Sequence, residues 1–340
     1  MSFESIIRKS KKLLIIGGYG TKNYGDEAIL AGILDTIRKI NSSVKMEVIA
    51  HDPKQIKKLH QRKGRTITEL FPHILTYDTI LIGGGTIFRK GMRLRAQLSP
   101  LAAVLLKFCG KKILFYSLGI DKNTSPFAKF WLVRAMNAAN FVSVRDEDSK
   151  KILQQWGVKK KIHLVSDPGE SLSYTHATDE QLRALSIDPK RKCIGLSLRN
   201  IKKENDIPFM NDLTILLKEL LAKKYQILFI PFCRSPFSRY ENDTYIGLQL
   251  KEKLQHRNFI LLNQELAPRD LKGLIARMDA VIAMRLHAMI FAVSTNTQLI
   301  GISYSQKCAS YLNAKHQRVF SAQSINCKEI KELLLQHKNR

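Results

Sequence analysis

The segment MDAVIAMRLHAMIFAVS, residues 278–294, places Arg285 and His287 where an apolar run gives way to a helical period. A helix start presents unanswered N–H groups that favour an anion by ~0.3–1 kcal/mol, more where it is partly buried. A guanidinium and an imidazole in the same turn add charge-assisted hydrogen bonds of ~1.5–3 kcal/mol each. A cation at that end of a helix is unfavourable unless something negative meets it, so the segment reads as an anion site. This reading requires the negative partner to be a ligand and not a carboxylate of the chain itself. Arg199, after the run Cys193–Leu198, and Lys307, in GISYSQK, would reach the same rim if their strands run parallel.

A second segment offers the opposite chemistry. In GYGTKNYGDEAIL, residues 18–30, Gly17, Gly18, Gly20 and Gly25 crowd one turn with Asn23, directly before Asp26. The spacing matches neither GxGxxG nor a phosphate loop, since Asp26 stands where a lysine would be needed. Asp26 reads either as a helix N-cap or as a carboxylate that takes a proton from a hydroxyl, and one residue can serve both roles. The glycines Gly83, Gly84 and Gly85 in ILIGGGTIFRK end a buried run and read as another close-approach loop. In VSVRDEDS, Asp146 suits a cap bonding Ser149. Arg145 either pairs with a nearby acid or serves as an anion ligand.

These residues need elements to position them. Strand-like runs occur at Leu13–Ile16, Met46–Ala50, Thr79–Ile82, Ile113–Ser117, Phe141–Val144 and Ile162–Val165. The pattern restarts at Cys193–Leu198, Ile227–Pro231, Phe259–Leu262, Ala280–Ala283 and Gln298–Ile302. Helical periods lie between most of them, the clearest being Ile29, Ile33, Ile37 and Ile40. Strand–helix alternation implies parallel sheets covered on both faces. The polar stretch near residues 170–190 reads as a linker with one short helix. The expected class is therefore α/β, with two Rossmann-like lobes, residues 1–175 and 190–340, whose parallel sheets face an interdomain cleft.

With 56 lysines and arginines against 29 acids, the chain carries +27 and will be drawn to phosphates. Lys54, Lys58 and Arg62 read as one solvated helix face. The stretch FRKGMRLRAQLSPLAAVLLKF puts a cationic head before an apolar helix. It suits either a loop and core helix or a surface resting on anionic lipid. The five cysteines show no metal or disulfide spacing, fitting a reducing cytoplasm; Cys109, Cys193 and Cys308 read as core residues. The run Leu13–Ile16 is too short for a signal peptide, and Leu101–Leu106 is far below the ~20 residues that span a bilayer. No divalent-metal motif or cofactor fingerprint is present. Basic residues are not interleaved with aromatics, Phe88 beside Arg89 and Lys90 excepted, so no specific nucleic-acid partner is expected.

GYGTKNYGDEAIL, GGG at 83–85, VSVRDEDS, SDP at 166–168, GLSLRN at 195–200, and MRLHAMIFAVS followed by GISYSQK, in this order, resemble the polysaccharide pyruvyl transferase family. The resemblance spans residues 13–307. It departs at SLGID, with Asp121 where the family commonly has proline, and at SYSQK, which keeps Lys307 but lacks an Asp-Pro. It implies a glycosyltransferase-B-like fold and transfer of pyruvate from phosphoenolpyruvate to a sugar, as a cyclic ketal. The acceptor expected is a sugar or lipid-linked oligosaccharide, with an anionic membrane surface at the inner face as a further partner. Arg285 and His287 then look like donor-binding residues, with Arg145 a helper. Arg199 and Lys307 join them on the donor, and Asp26 is base or acceptor orienter, with Asn23, Gly84 and Gly85 beside it. His287 is either donor ligand or the general acid. The rival readings are a nucleotide-sugar-dependent glycosyltransferase on the same scaffold and a non-catalytic basic surface binder.

Overall fold

A computed structural model of the chain describes residues 2–88, 91, 94–201, 209–323 and 325–336. They form two compact units, Met1–Thr21 with Asp26–Ser173, and Lys22–Gly25 with Tyr174–Arg340. The first unit is built on β1 (Lys12–Tyr19), β2 (Lys45–Ala50), β3 (Lys63–Arg65), β4 (Thr79–Phe88), β5 (Lys112–Ile120), β6 (Phe141–Val144) and β7 (His163–Leu164). Their order is β3-β2-β1-β4-β5-β6-β7, every pair parallel. The second unit has β8 (Cys193–Ser197), β9 (Gln226–Phe229), β10 (Phe259–Leu261), β11 (Ala280–Ala283), β12 (Gln298–Ser303) and β13 (Val319–Ser321). Here the order is β10-β9-β8-β11-β12-β13, again all parallel.

The central strands are apolar almost without interruption because helices cover both faces. Leu13, Leu14 and Ile15 of β1 and Val281, Ile282 and Ala283 of β11 are fully buried. In each sheet the strand order reverses once, between β1 and β4 and between β8 and β11. The crevice beyond the carboxyl ends of such a strand pair is where parallel sheets of this kind bind ligands. Of the glycines read as one turn, Gly17 and Gly18 lie at the end of β1 and Gly25 in the helix Tyr24–Ile40, with Gly20 between them; Arg199 follows β8, and Arg285 follows β11.

The structure departs from several sequence expectations. The three glycines do not end a strand: β4 runs on to Phe88, with Gly84 and Gly85 at φ +75° and +73°. That left-handed backbone, available cheaply only to glycine, coincides with a shift of register against β5 between Gly85 and Phe88. The helix Pro53–His60 stops at Gln61, which is left-handed at φ 53°, so Arg62 does not share a face with Lys54 and Lys58. The edge strands β3 and β13 escape a search for apolar runs, since KGR has no apolar residue and VFS only two. Cys193 and Cys308 are buried, but Cys109 is exposed, because it follows a helix, Leu94–Phe108, with an apolar outer side. Of the cationic head before that helix, Arg89, Lys90 and Arg93 lie outside the described residues. Among the described residues, no helix is long and apolar enough to cross a membrane.

Candidate active site

In the second unit, β8, β11 and β12 are neighbours in register, Ser197 opposite Ala283 and Ala283 opposite Gly301. The chain leaving each strand therefore emerges along one edge of the sheet. Two helices start there. Leu286–Ser294 has Arg285 at its N-cap position and Gln306–Ala314 has Ser305, and neither cap side chain accepts a hydrogen bond from the N–H groups of its helix. The Cys308 thiol, 3.8 Å from the Met284 carbonyl oxygen, joins the two starts. Two adjacent helix N-termini without side-chain caps favour negative charge.

Arg199 reaches this edge half-buried. Its guanidinium donates to the Tyr304 hydroxyl at 2.8 Å and to the Asn200 carbonyl at 3.1 Å, and lies 4.5 Å from the centre of the Tyr304 ring. Among the described residues no carboxylate stands within salt-bridge distance of it. Lys307, exposed in the first turn of Gln306–Ala314, stands at the same edge.

Arg285 is different: its negative partner is a carboxylate of the chain itself. Its Nε and Nη2 donate to the two carboxylate oxygens of Asp243 at 2.9 and 2.5 Å, and Nη2 also donates to the Glu241 carbonyl at 3.2 Å. Asp243 is fully buried and accepts the Cys233 N–H at 2.9 Å as well. Burial by itself would lower the pKa of Arg285, but the adjacent carboxylate outweighs it and the net direction is up. The negative charge required at that helix start is supplied by the chain itself. Where the sequence reading expected a ligand, Arg285 has a carboxylate of the chain itself. No sequence signal singled out Asp243, because forty-two positions separate it from Arg285. Tyr304 lies within the motif GISYSQK, three residues before Lys307.

His287 follows in the first turn of its helix. A Cβ placed on Gly25 would fall 2.4 Å from its Nδ1, so the imidazole packs directly on that glycine. The Lys22–Gly25 segment is held by the second unit: Tyr24 N–H donates to Phe232 O at 2.8 Å, and Leu266 N–H donates to the Tyr24 hydroxyl at 2.9 Å. Asn23 forms an antiparallel bridge with Cys233, and its Oδ1 accepts the Gly25 N–H at 3.0 Å. The helix starts at Tyr24, so Asn23 and not Asp26 holds the capping position, and Asp26 sits inside the first turn.

In the first unit, Asp26 is bordered by glycines. Side chains at Gly18 or Gly85 would come within 3.6 or 3.2 Å of its carboxylate oxygens, and one at Gly84 would strike Ile29 at 2.0 Å. Glu27, next to it, is buried and accepts the Gly20 N–H at 2.7 Å while contacting His60 Nε2 at 2.7 Å. That pair, missed from the sequence, shapes the glycine turn. Arg145 takes the internal alternative left open for it. It donates to Asp167 at 2.9 Å and to Thr86 Oγ1 at 3.1 Å, with the two charged side chains only 5% and 6% exposed. Asp146 caps its helix by accepting the Ser149 N–H at 2.7 Å. Among the described residues no group of three or more His, Cys, Asp or Glu side chains is arranged to hold a metal.

Two parallel-sheet units of this kind define a glycosyltransferase-B-like α/β protein, and solved structures with the same architecture agree. The chain is similar to a structure from Listeria monocytogenes assigned as a UDP-N-acetylglucosamine 2-epimerase, with TM-score 0.64 and 14% identity over 96% of this chain and 88% of that one. It is similar to the UDP-GlcNAc 2-epimerase of Methanocaldococcus jannaschii, with TM-score 0.63 and 13% identity over 96% and 92%. A third is the E. coli ADP-heptose lipopolysaccharide heptosyltransferase II, with TM-score 0.52 and 17% identity over 96% and 100%. At these identities the likeness is one of fold. The chain belongs to the polysaccharide pyruvyl transferase family, whose model matches residues 23–306, from Asn23 to the residue before Lys307.

Proposed function

We propose that this protein moves pyruvate from phosphoenolpyruvate onto a sugar of a cell-surface polysaccharide precursor, in lipid-linked form, as a cyclic ketal. Family membership supports the reaction class, a polysaccharide-modifying transferase. The observation that carries the donor is the edge of the second sheet. There Arg199 has a phenol and a peptide carbonyl for partners and two helix starts have no side-chain cap. A carboxylate and a phosphate on one small molecule suit such an edge.

In this reading Arg199, His287, Lys307 and the helix N–H groups hold the donor, and Arg285 keeps Asp243 and its loop in place. Protonation of the donor's methylene carbon makes C2 electrophilic, and one sugar hydroxyl adds to it. A second hydroxyl on the same sugar then displaces phosphate and closes the ketal. Of the two hydroxyl protons, one restores the acid and the other leaves with phosphate. Asp26, the residue after Gly25, takes a hydroxyl proton or orients the acceptor, with Gly85 beside its carboxylate, while the space at Gly84 is taken by Ile29 of the chain itself. The first unit is the acceptor side and the second the donor side. The reaction belongs on the cytoplasmic side of the inner membrane, where phosphoenolpyruvate is available.

The test is to incubate the protein with phosphoenolpyruvate and glycan acceptors and follow phosphate release together with ketal formation by NMR. A thermal-shift series should show stabilisation by phosphoenolpyruvate, abolished in Arg199→Ala. Stabilisation by nucleotide sugars instead, with no phosphate released from phosphoenolpyruvate, overturns the proposal.

A further inference from the structure

The outer side of the helix Leu94–Phe108 is unusual for a crossover helix. Leu94, Leu98, Leu105 and Phe108 are exposed, Phe108 to 85% of its surface, and they recur at the spacing that keeps them on one face. The helix Pro126–Ala138 packs beside it and adds exposed Phe127 and Phe130. A contiguous apolar face of this kind on a folded unit marks a contact with something else.

Charge says what that something is. From Leu94 to Val144 the sequence holds seven lysines and arginines and one acid, Asp121, whereas the whole chain holds 56 against 29. Lys112 faces Asp78, but four of the others have neutral partners. Lys107 and Lys111 donate to an amide and a peptide carbonyl, Lys129 lies 5.1 Å from the Trp156 ring centre, and Arg134 stacks 3.4 Å from that of exposed Phe130. Among the described residues none of these four is within ion-pair distance of a carboxylate. A second copy of the chain would bring two such cationic faces together and be repelled. A bilayer with acidic headgroups accepts apolar side chains at its acyl boundary and attracts lysines and arginines at its surface.

We propose that the face made by Leu94–Phe108 and Pro126–Ala138 is where the protein rests on an anionic bilayer. It lies within the first unit and is read without turnover, so it stands or falls independently of the donor assignment.

The experiment is co-sedimentation of the full chain with vesicles of phosphatidylcholine alone and with 30% phosphatidylglycerol. Binding is expected to the anionic vesicles only. Lys129→Glu with Arg134→Glu should weaken it about tenfold or more, and Leu105→Ser with Phe108→Ser should do so even at low salt. Lys54→Glu with Lys57→Glu, an equal charge change on an exposed helix elsewhere in the same unit, should leave most of the binding intact. Circular dichroism checks the folding of each variant, and the charge pair decides the matter if the apolar pair misfolds. Cys109, exposed beside this face, gives a second readout: anionic vesicles should slow its alkylation in the wild-type protein. The proposal is overturned if both charge pairs weaken binding equally, which would mean adsorption by net charge. It is also overturned if anionic vesicles leave Cys109 labelling unchanged, or if the chain is a solution dimer that Leu105→Ser with Phe108→Ser dissociates.

Discussion

Arg145 and Arg199 occupy the same place in two different sheets, each just past the carboxyl end of a parallel strand, yet their surroundings oppose each other. Arg145, after β6, has Asp167 at 2.9 Å, and the pair is almost completely enclosed. Arg199, after β8, has the Tyr304 hydroxyl and a peptide carbonyl, and is half-buried. Arg285, after β11, falls with Arg145, since Asp243 answers it on both oxygens. The strand-end position delivers the guanidinium to the crevice, but availability for a ligand is decided by a residue remote in sequence. A guanidinium already matched by an enclosed carboxylate has little left to offer an anion, while one whose hydrogen bonds among the described residues go to neutral acceptors keeps more of its charge available.

The largest effect should come from breaking an enclosed pair. Asp243→Ala removes one partner and leaves Arg285 in a mostly desolvated place, for which the expected loss is ~3–5 kcal/mol of stability. A fall in the urea midpoint of the second unit measures it. Replacing both, Arg285→Met with Asp243→Leu, should recover much of that loss because no lone charge is left behind. An unchanged midpoint in Asp243→Ala would erase the distinction between the two kinds of arginine. Next comes Arg199→Ala, which removes charge-assisted bonds to the donor of ~1.5–3 kcal/mol. This corresponds to about a tenfold to hundredfold loss in kcat/KM. Its stability should change by about 1 kcal/mol or less, since it gives up a cation–aromatic contact and no buried pair. If Arg199→Ala unfolds the protein while Arg285→Ala spares it, the two residues have exchanged roles.

The fold was legible because burial on both faces leaves its mark on every central strand. β6 and β11 run over the residues expected for them, and β1, β4 and β5 extend further at one or both ends. Edge strands such as β3, with residues KGR, are covered on fewer sides and need no apolar run. The site was legible in its positions and not in its pairings. Arg199 and Arg285 follow strands and Asp26 lies in the first turn of the helix after one, as alternation predicts. The partners Asp243, Asp167 and His60 come from elsewhere in the chain and carry no local pattern. The assignment of residues 22–25 to the second unit is equally invisible in chain order, because it depends on hydrogen bonds to Phe232 and Leu266.

The smallest change tested should sharpen the role left open for His287. Gly25 is the second residue of the helix Tyr24–Ile40, and alanine is favoured over glycine inside a helix by ~1 kcal/mol, so in Gly25→Ala this gain offsets part of the ~1–3 kcal/mol that crowding a packed ring costs. Its obstacle is space, since the new Cβ would stand 2.4 Å from Nδ1 and 3.0 Å from Cγ of His287. The ring must shift by about an ångström, a displacement that costs a well-placed catalytic group up to ~100-fold. Steady-state kinetics on Gly25→Ala then separates the two roles. If the imidazole delivers the proton to carbon, kcat falls and KM for phosphoenolpyruvate stays near its original value. If it only holds the anion, KM rises and kcat is retained, because Arg199 and the helix N–H groups still orient the donor. Unaltered kinetics in Gly25→Ala would remove His287 from both roles and leave the edge of the second sheet to Arg199, Lys307 and the two helix starts.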